Sequence, residues 1–105
     1  MPNESARDFV SSWLISNMAG FDLSQRNLER IDNLHTNALS AWYESPELLV
    51  DVMVWEHALC LDIIVLSKRT GTQLFSAGGS CESFAGLAAR LRAFASWLAD
   101  NRTVA

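Results

Sequence analysis

The chain has 105 residues, half of them apolar and 19% charged, which is enough for one domain with a single modest core and too little for two. Its 12 acids against 8 bases give a formal charge of −4, the wrong sign for a protein that grips nucleic acid or an anionic membrane through its net field. Asp51, Glu56 and Asp62 interrupt the richest apolar stretch, so no run reaches the roughly 18–20 uncharged residues of a spanning helix, and Met1-Pro2-Asn3-Glu4 lacks the basic start and apolar run of a secretory signal. These features predict a soluble, cytoplasmic protein with neither nucleic acid nor membrane as partner.

In chain order, residues 5–18 carry Phe9, Val10, Trp13, Leu14 and Met18 at helical spacing and end at Gly20, which suits the left-handed position that closes a helix. Asp22 followed by Gln25 has the form of a capping box, and Leu28, Ile31 and Leu34 recur at three-residue steps, predicting a second helix over 24–35. Beyond Asn37 the β-branched residues Val50, Val52, Val54, Ile63, Ile64 and Val65 favour strands. Strands are expected near 38–44, 48–56, 60–68 and 72–77. Arg69-Thr70-Gly71-Thr72 supplies a hairpin turn with glycine where positive φ is wanted. A competing assignment makes 46–67 one buried helix with Ser45 as cap and Pro46 at its first position. Gly78-Gly79 ends the sheet, and Ser80 or Ser83 caps a last helix on which Phe84, Leu87, Leu91, Phe94 and Leu98 form one stripe. The fold class expected is α+β: a four-stranded antiparallel β-meander packed with two N-terminal helices and one C-terminal helix, forming a single domain over residues 1–105.

Catalytic chemistry is not legible in this pattern. Two cysteines, Cys60 and Cys81, form no Cys-x-x-Cys pair and are read as reduced thiols, one in a strand and one near a helix start. His57 and Cys60 are too few for a metal site, and Gly78-Gly79-Ser80 lacks the long glycine-rich loop and lysine of a phosphate cradle. No metal, no cofactor and no enzyme activity are expected.

Charge is more informative. Between Arg30 and Lys68 there is no Lys or Arg, while Asp32, Glu44, Glu47, Asp51, Glu56 and Asp62 all fall there. Alternation places Leu48, Val50, Val52 and Val54 on one side of a strand and Leu49, Asp51, Met53, Trp55 and His57 on the other, with Asp62 expected across the hairpin on that same mixed face. Glu44, Asp51, Trp55, Glu56, His57 and Asp62 are therefore the candidate partner-binding residues, acids around an aromatic anchor. If helices cover the mixed face instead, these acids only solubilise its margins.

The segments Val52-Met53-Val54-Trp55-Glu56, Leu61-Asp62-Ile63-Ile64-Val65-Leu66, Thr70-Gly71-Thr72-Gln73-Leu74-Phe75 and Ser83-Phe84, with the apolar pattern running to Trp97-Leu98, resemble the small immunity proteins of the TriTu kind. These lie beside Rhs and type VI secretion effectors, whose toxic domains include ADP-ribosyltransferases. The resemblance spans residues 38–100; where that family often has glycine after the Trp-Glu pair, this chain has His57-Ala58. It implies an antitoxin that binds the C-terminal domain of a cognate toxin and occludes its active site without catalysis, with dimerisation left open. The alternative is a secretion-effector chaperone or adaptor cradling an apolar segment.

Overall fold

The computed structural model describes residues 5–32, 37–56 and 59–101. Within them the chain forms α1 (Ala6–Asn17), a short 3-10 turn (Met18–Gly20), β1 (Ser24–Asp32), β2 (Asn37–Glu44), β3 (Leu48–Trp55), β4 (Cys60–Ser67), β5 (Gln73–Ala77) and α2 (Phe84–Asn101). The strands make one sheet in the order β1-β2-β3-β4-β5, every neighbour antiparallel. The α+β class and the meander stand as expected, but with five strands in place of four and two helices in place of three.

The difference lies in residues 24–32, expected as helix and found as β1. Leu28 pairs with Ala41 on one face of the sheet and Ile31 pairs with Ala38 on the other, because residues three apart point opposite ways along a strand. On a helix the same spacing would make one stripe, but two apolar side chains are a weak stripe, and eight registered partners on β2 offer a full ladder instead. Asp22 and Gln25 consequently flank a strand entry and cap no helix. Arg26 is skipped by the register and forms a bulge. Leu34 and His35 lie outside the described residues.

β2 to β5 fall within a residue or two of the expected spans, which removes the long-helix assignment over 46–67. In the turn after β4, Gly71 has φ of 74°, and its N–H donates to Ser67 O at 2.8 Å while Ser67 N–H donates to Thr72 O at 2.8 Å. Ser5 caps α1 by accepting from the Asp8 N–H at 3.0 Å. That helix does not close on a left-handed Gly20; it tightens into the 3-10 turn, and the Phe21 N–H donates to Met18 O. Ser83, rather than Ser80, caps α2, accepting from the Gly86 N–H at 3.3 Å.

Both helices lie on the same side of the sheet. Leu39, Ala41, Tyr43, Val50, Val52, Val54, Leu61, Ile63 and Val65 are buried there against Val10 and Leu14 of α1 and Leu87, Leu91, Phe94 and Leu98 of α2. Aromatic rings knit the seam: Phe75 sits 5.9 Å from Phe94 and 5.7 Å from Trp97, and Trp13 sits 6.3 Å from Phe94. Each large side chain buried this way contributes about 1.5–3 kcal/mol.

After β5 the chain must leave the sheet and turn back as α2. Gly79 has φ of 100°, its N–H donates to Asp62 Oδ1 at 3.1 Å, and a Cβ on Gly78 would sit 2.8 Å from that same oxygen. A bridge between Cys60 and Ser80 follows, and Arg90 of α2 donates to Leu61 O at 2.8 Å and Gly79 O at 2.7 Å. Replacing Gly79 with alanine forces a side chain into a left-handed backbone and is expected to cost roughly 1–2 kcal/mol in urea unfolding. Gly20→Ala, where a Cβ meets nothing within 4 Å, should leave the midpoint nearly unchanged.

Candidate functional site: the open face of the sheet

With both helices on one side, the other side of the sheet has no covering layer among the described residues. Strand register fixes what it shows. One row across β1 to β5 reads Asn27, Trp42, Asp51, Ile64, Ser76; the next reads Glu29, Ser40, Met53, Asp62. Toward one end come Glu44, Leu49 and Leu66, and toward the other Ile31, Ala38, Trp55 and Cys60. Trp42 is 43% exposed and Ile64 37% exposed. Around them Asn27, Ser40, Trp42, Leu49, Asp51, Ile64 and Leu66 line a shallow depression of about 290 Å³.

The five candidate residues that are described separate in space. Asp51 sits at the centre of the open face, and its carboxylate makes no hydrogen bond or ion pair within the described residues. Asp62 lies directly across from Met53 on the same face but is tied down by the Gly79 N–H. Trp55 is partly buried at the far end, in the row with Ala38 and Cys60. Glu44, at the opposite end, is bridged by Arg26 Nε at 2.9 Å and Lys68 Nζ at 2.7 Å; Lys68 and then Arg26 hold its carboxyl below the usual carboxylate range. His57 lies outside the described residues.

Glu56 is engaged elsewhere. Its Oε1 accepts from the Ala6 N–H at 2.8 Å, and its Oε2 from Arg7 Nε at 3.1 Å and the Arg7 N–H at 3.4 Å. The Arg7 guanidinium, only 7% exposed as a residue, also donates to Ile31 O at 3.0 Å and to Asp32. One carboxylate thus satisfies the first orphan N–H groups of α1 and pins that helix to the ends of β1 and β3. Burial pushes the Glu56 carboxyl up, but the Ala6 N–H and the Arg7 guanidinium together outweigh it and hold the group below its ordinary value. The Arg7 guanidinium is held more firmly protonated, first by Asp32 and then, against the cost of burial, by Glu56.

Trp42 and Ile64, the exposed large hydrophobic side chains of the depression, were absent from the candidates. The signal was present: once 38–44 is a strand, Leu39, Ala41 and Tyr43 face inward and Trp42 must face out with Asp51. No group of three or more His, Cys, Asp or Glu that could hold a metal occurs among the described residues. Cys60 is a partly buried thiol in β4 and Cys81 a buried one ahead of α2. No helix of the described residues is long and apolar enough to cross a membrane. No family model matches the chain, and no curated protein and no solved structure is significantly similar to it.

The Glu56 contacts set a pH dependence. A carboxyl whose folded pKa is depressed stabilises fully above its unfolded value, 4.5 here, and that stabilisation is lost as pH falls through the folded value. Glu56→Gln is expected to cost roughly 1–3 kcal/mol at pH 7 and to make unfolding free energy fall less steeply below pH 4.5 than in the wild type, as urea melts across that range will show.

Proposed function

We propose that the protein acts by binding, as an immunity protein that neutralises a secreted bacterial toxin by docking on it through the open face of its sheet. The observation that carries this reading is the face itself. An antiparallel sheet left open to water ordinarily alternates apolar inside with polar outside. Here the outward positions of β3 and β4 include Leu49, Met53, Trp55, Ile64 and Leu66. Exposed apolar surface rimmed by polar groups marks an interaction site, and an aromatic flanked by carboxylates suits a partner with a basic surface. The resemblance to TriTu-type immunity proteins points to the partner: the C-terminal domain of a polymorphic toxin, met in the cytoplasm and inhibited stoichiometrically, without turnover.

Support for a binding role also comes from how the reactive groups are disposed. Of the acids in the cation-free segment, Asp32, Glu44 and Glu56 hold cations of their own chain, which among the described residues leaves Glu47, Asp51 and Asp62 without a cation, and Asp51 and Asp62 stand on the open face.

The test is co-expression with the C-terminal domain of the toxin encoded beside this protein's gene. Cells should survive, and the two chains should co-purify as a complex in which the toxin is inactive. Ile64→Lys is an outward substitution expected to change stability by about 0.5 kcal/mol or less, yet it should abolish protection and co-purification. Asp51→Lys should slow association most at low salt, where wild-type association is itself fastest. Death of cells that make folded protein would overturn the reading; a complex in which the toxin stays active would replace it with the effector-chaperone role.

A further inference from the structure

The depression on the open face has a chemistry more specific than apolar surface beside an acid. Trp42, Asp51 and Ile64 are consecutive in one row, each the register partner of the next, so their Cβ atoms stand about 5 Å apart and Asp51 rises between an indole and a branched aliphatic side chain. Leu49 and Leu66 complete the apolar lining, with Ser40 and Asn27 on the remaining side. Three of the six acids between Arg30 and Lys68 have found cations in the folded chain. Asp51 has none among the described residues, and neither does Glu29 in the neighbouring row. The two cations nearest this end of the face, Arg26 and Lys68, are both held by Glu44.

We propose that this depression is a receptor for one arginine side chain presented by the protein partner. The inference rests on the reading of the open face as a docking surface and names what that surface recognises. A guanidinium stacks on the exposed indole of Trp42 while its fork meets the Asp51 carboxylate, and its methylene stem lies along Leu49, Ile64 and Leu66. Lysine fits less well, because an ammonium neither stacks nor pairs in two places at once. The volume, about 290 Å³, is at the floor of the range for small-molecule sites, which begins near 300 Å³, and matches one side chain better than a cofactor. An anionic ligand would meet Asp51 with Glu29 and Asp62 behind it in the next row, so nucleic acid and phosphorylated ligands are disfavoured. Docking anchors of this kind, an arginine on an aromatic in a partly dry pocket, concentrate binding energy.

The experiment needs no toxin. The full chain, labelled with ¹⁵N, is titrated with N-acetyl-arginine N-methylamide, with the lysine analogue, and with the citrulline analogue, which keeps the shape and loses the charge. The Trp42 indole N–H and the Asp51 and Ile64 amides should shift saturably with arginine, less with lysine and scarcely with citrulline. Asp51→Asn, at an exposed position, should leave the rest of the spectrum in place and weaken arginine binding roughly three- to fivefold. Equal response to citrulline, shifts scattered over the surface acids, or binding unchanged in Asp51→Asn would overturn the proposal. So would concentration-dependent broadening of the free Trp42 signal, which would give the face to a second copy of this chain. Arginine binding without protection from the toxin would sink the immunity reading alone. Protection that survives Asp51→Asn with no arginine response would sink the receptor alone.

Discussion

Two helices of 12 and 18 residues can cover one face of a five-stranded sheet and not both. This limit governs the rest of the molecule. Because side chains alternate along each strand, every core residue of β2, β3 and β4 has outward neighbours, and among the described residues these have no layer to pack against. Where many small domains fill such positions with Thr, Lys and Glu, this chain places Trp42, Leu49, Met53, Ile64 and Leu66 there. Trp42 and Ile64 are exposed and Leu49, Met53 and Leu66 half-buried, so the face forgoes part of the stabilisation that full covering would give, of order 1.5–3 kcal/mol for a large side chain.

The same one-sidedness gives Glu56 its place. A single layer of helices needs an anchor that fixes where α1 crosses the sheet, and the cluster of Glu56, Arg7 and Asp32 supplies it by joining the helix start to the ends of β1 and β3. Arg30 adds a surface contact to Asp8 at 2.7 Å, strengthening the same corner. A charge block counted along the sequence therefore overstates the field of the folded protein. Cations from α1, from β1 and from the end of β4 return to neutralise three of its six acids. Of the three that remain, Asp51 and Asp62 stand on the open face and Glu47 lies in the turn before β3.

Much of this was readable from residues in order. Strict alternation through Val50, Val52 and Val54 against Leu49, Asp51 and Met53 set both faces of β3, and it put Asp62 on the mixed side, where it stands opposite Met53. The α2 stripe was equally plain, since Leu87, Leu91, Phe94 and Leu98 are all buried. Residues 24–32 were not legible, because an edge strand with most of its side chains in water has no periodicity of its own; its identity comes from β2, not from propensity. Glu56 could not be told from Asp51 by type or neighbourhood, as their roles diverge only when α1 folds back to Trp55's end of β3. Trp42 follows from the parity of β2, whereas Trp55, the aromatic beside Glu56 in sequence, lies partly buried at the far end of the face.

The alternation also separates what must be kept from what can change. On β3, Val50, Val52 and Val54 have essentially no exposed surface, and truncating any of them opens a cavity beneath the helices. Leu49, Asp51 and Met53 alternate with them on the same strand and touch no helix, so replacing them alters the docking face with little effect on the core. A binding protein whose partner varies would benefit from this division, since outward positions can change while inward ones hold the core; on β2 and β4 the parity is reversed, with Trp42 and Ile64 outward and Ala41, Tyr43, Ile63 and Val65 inward. The bulges at Arg26 and Leu74 confine irregular backbone to the two edge strands, so the central rows keep a regular register. In the proposed complex that regularity matters, because an indole and a carboxylate recognise a planar cation only if strand pairing holds them side by side.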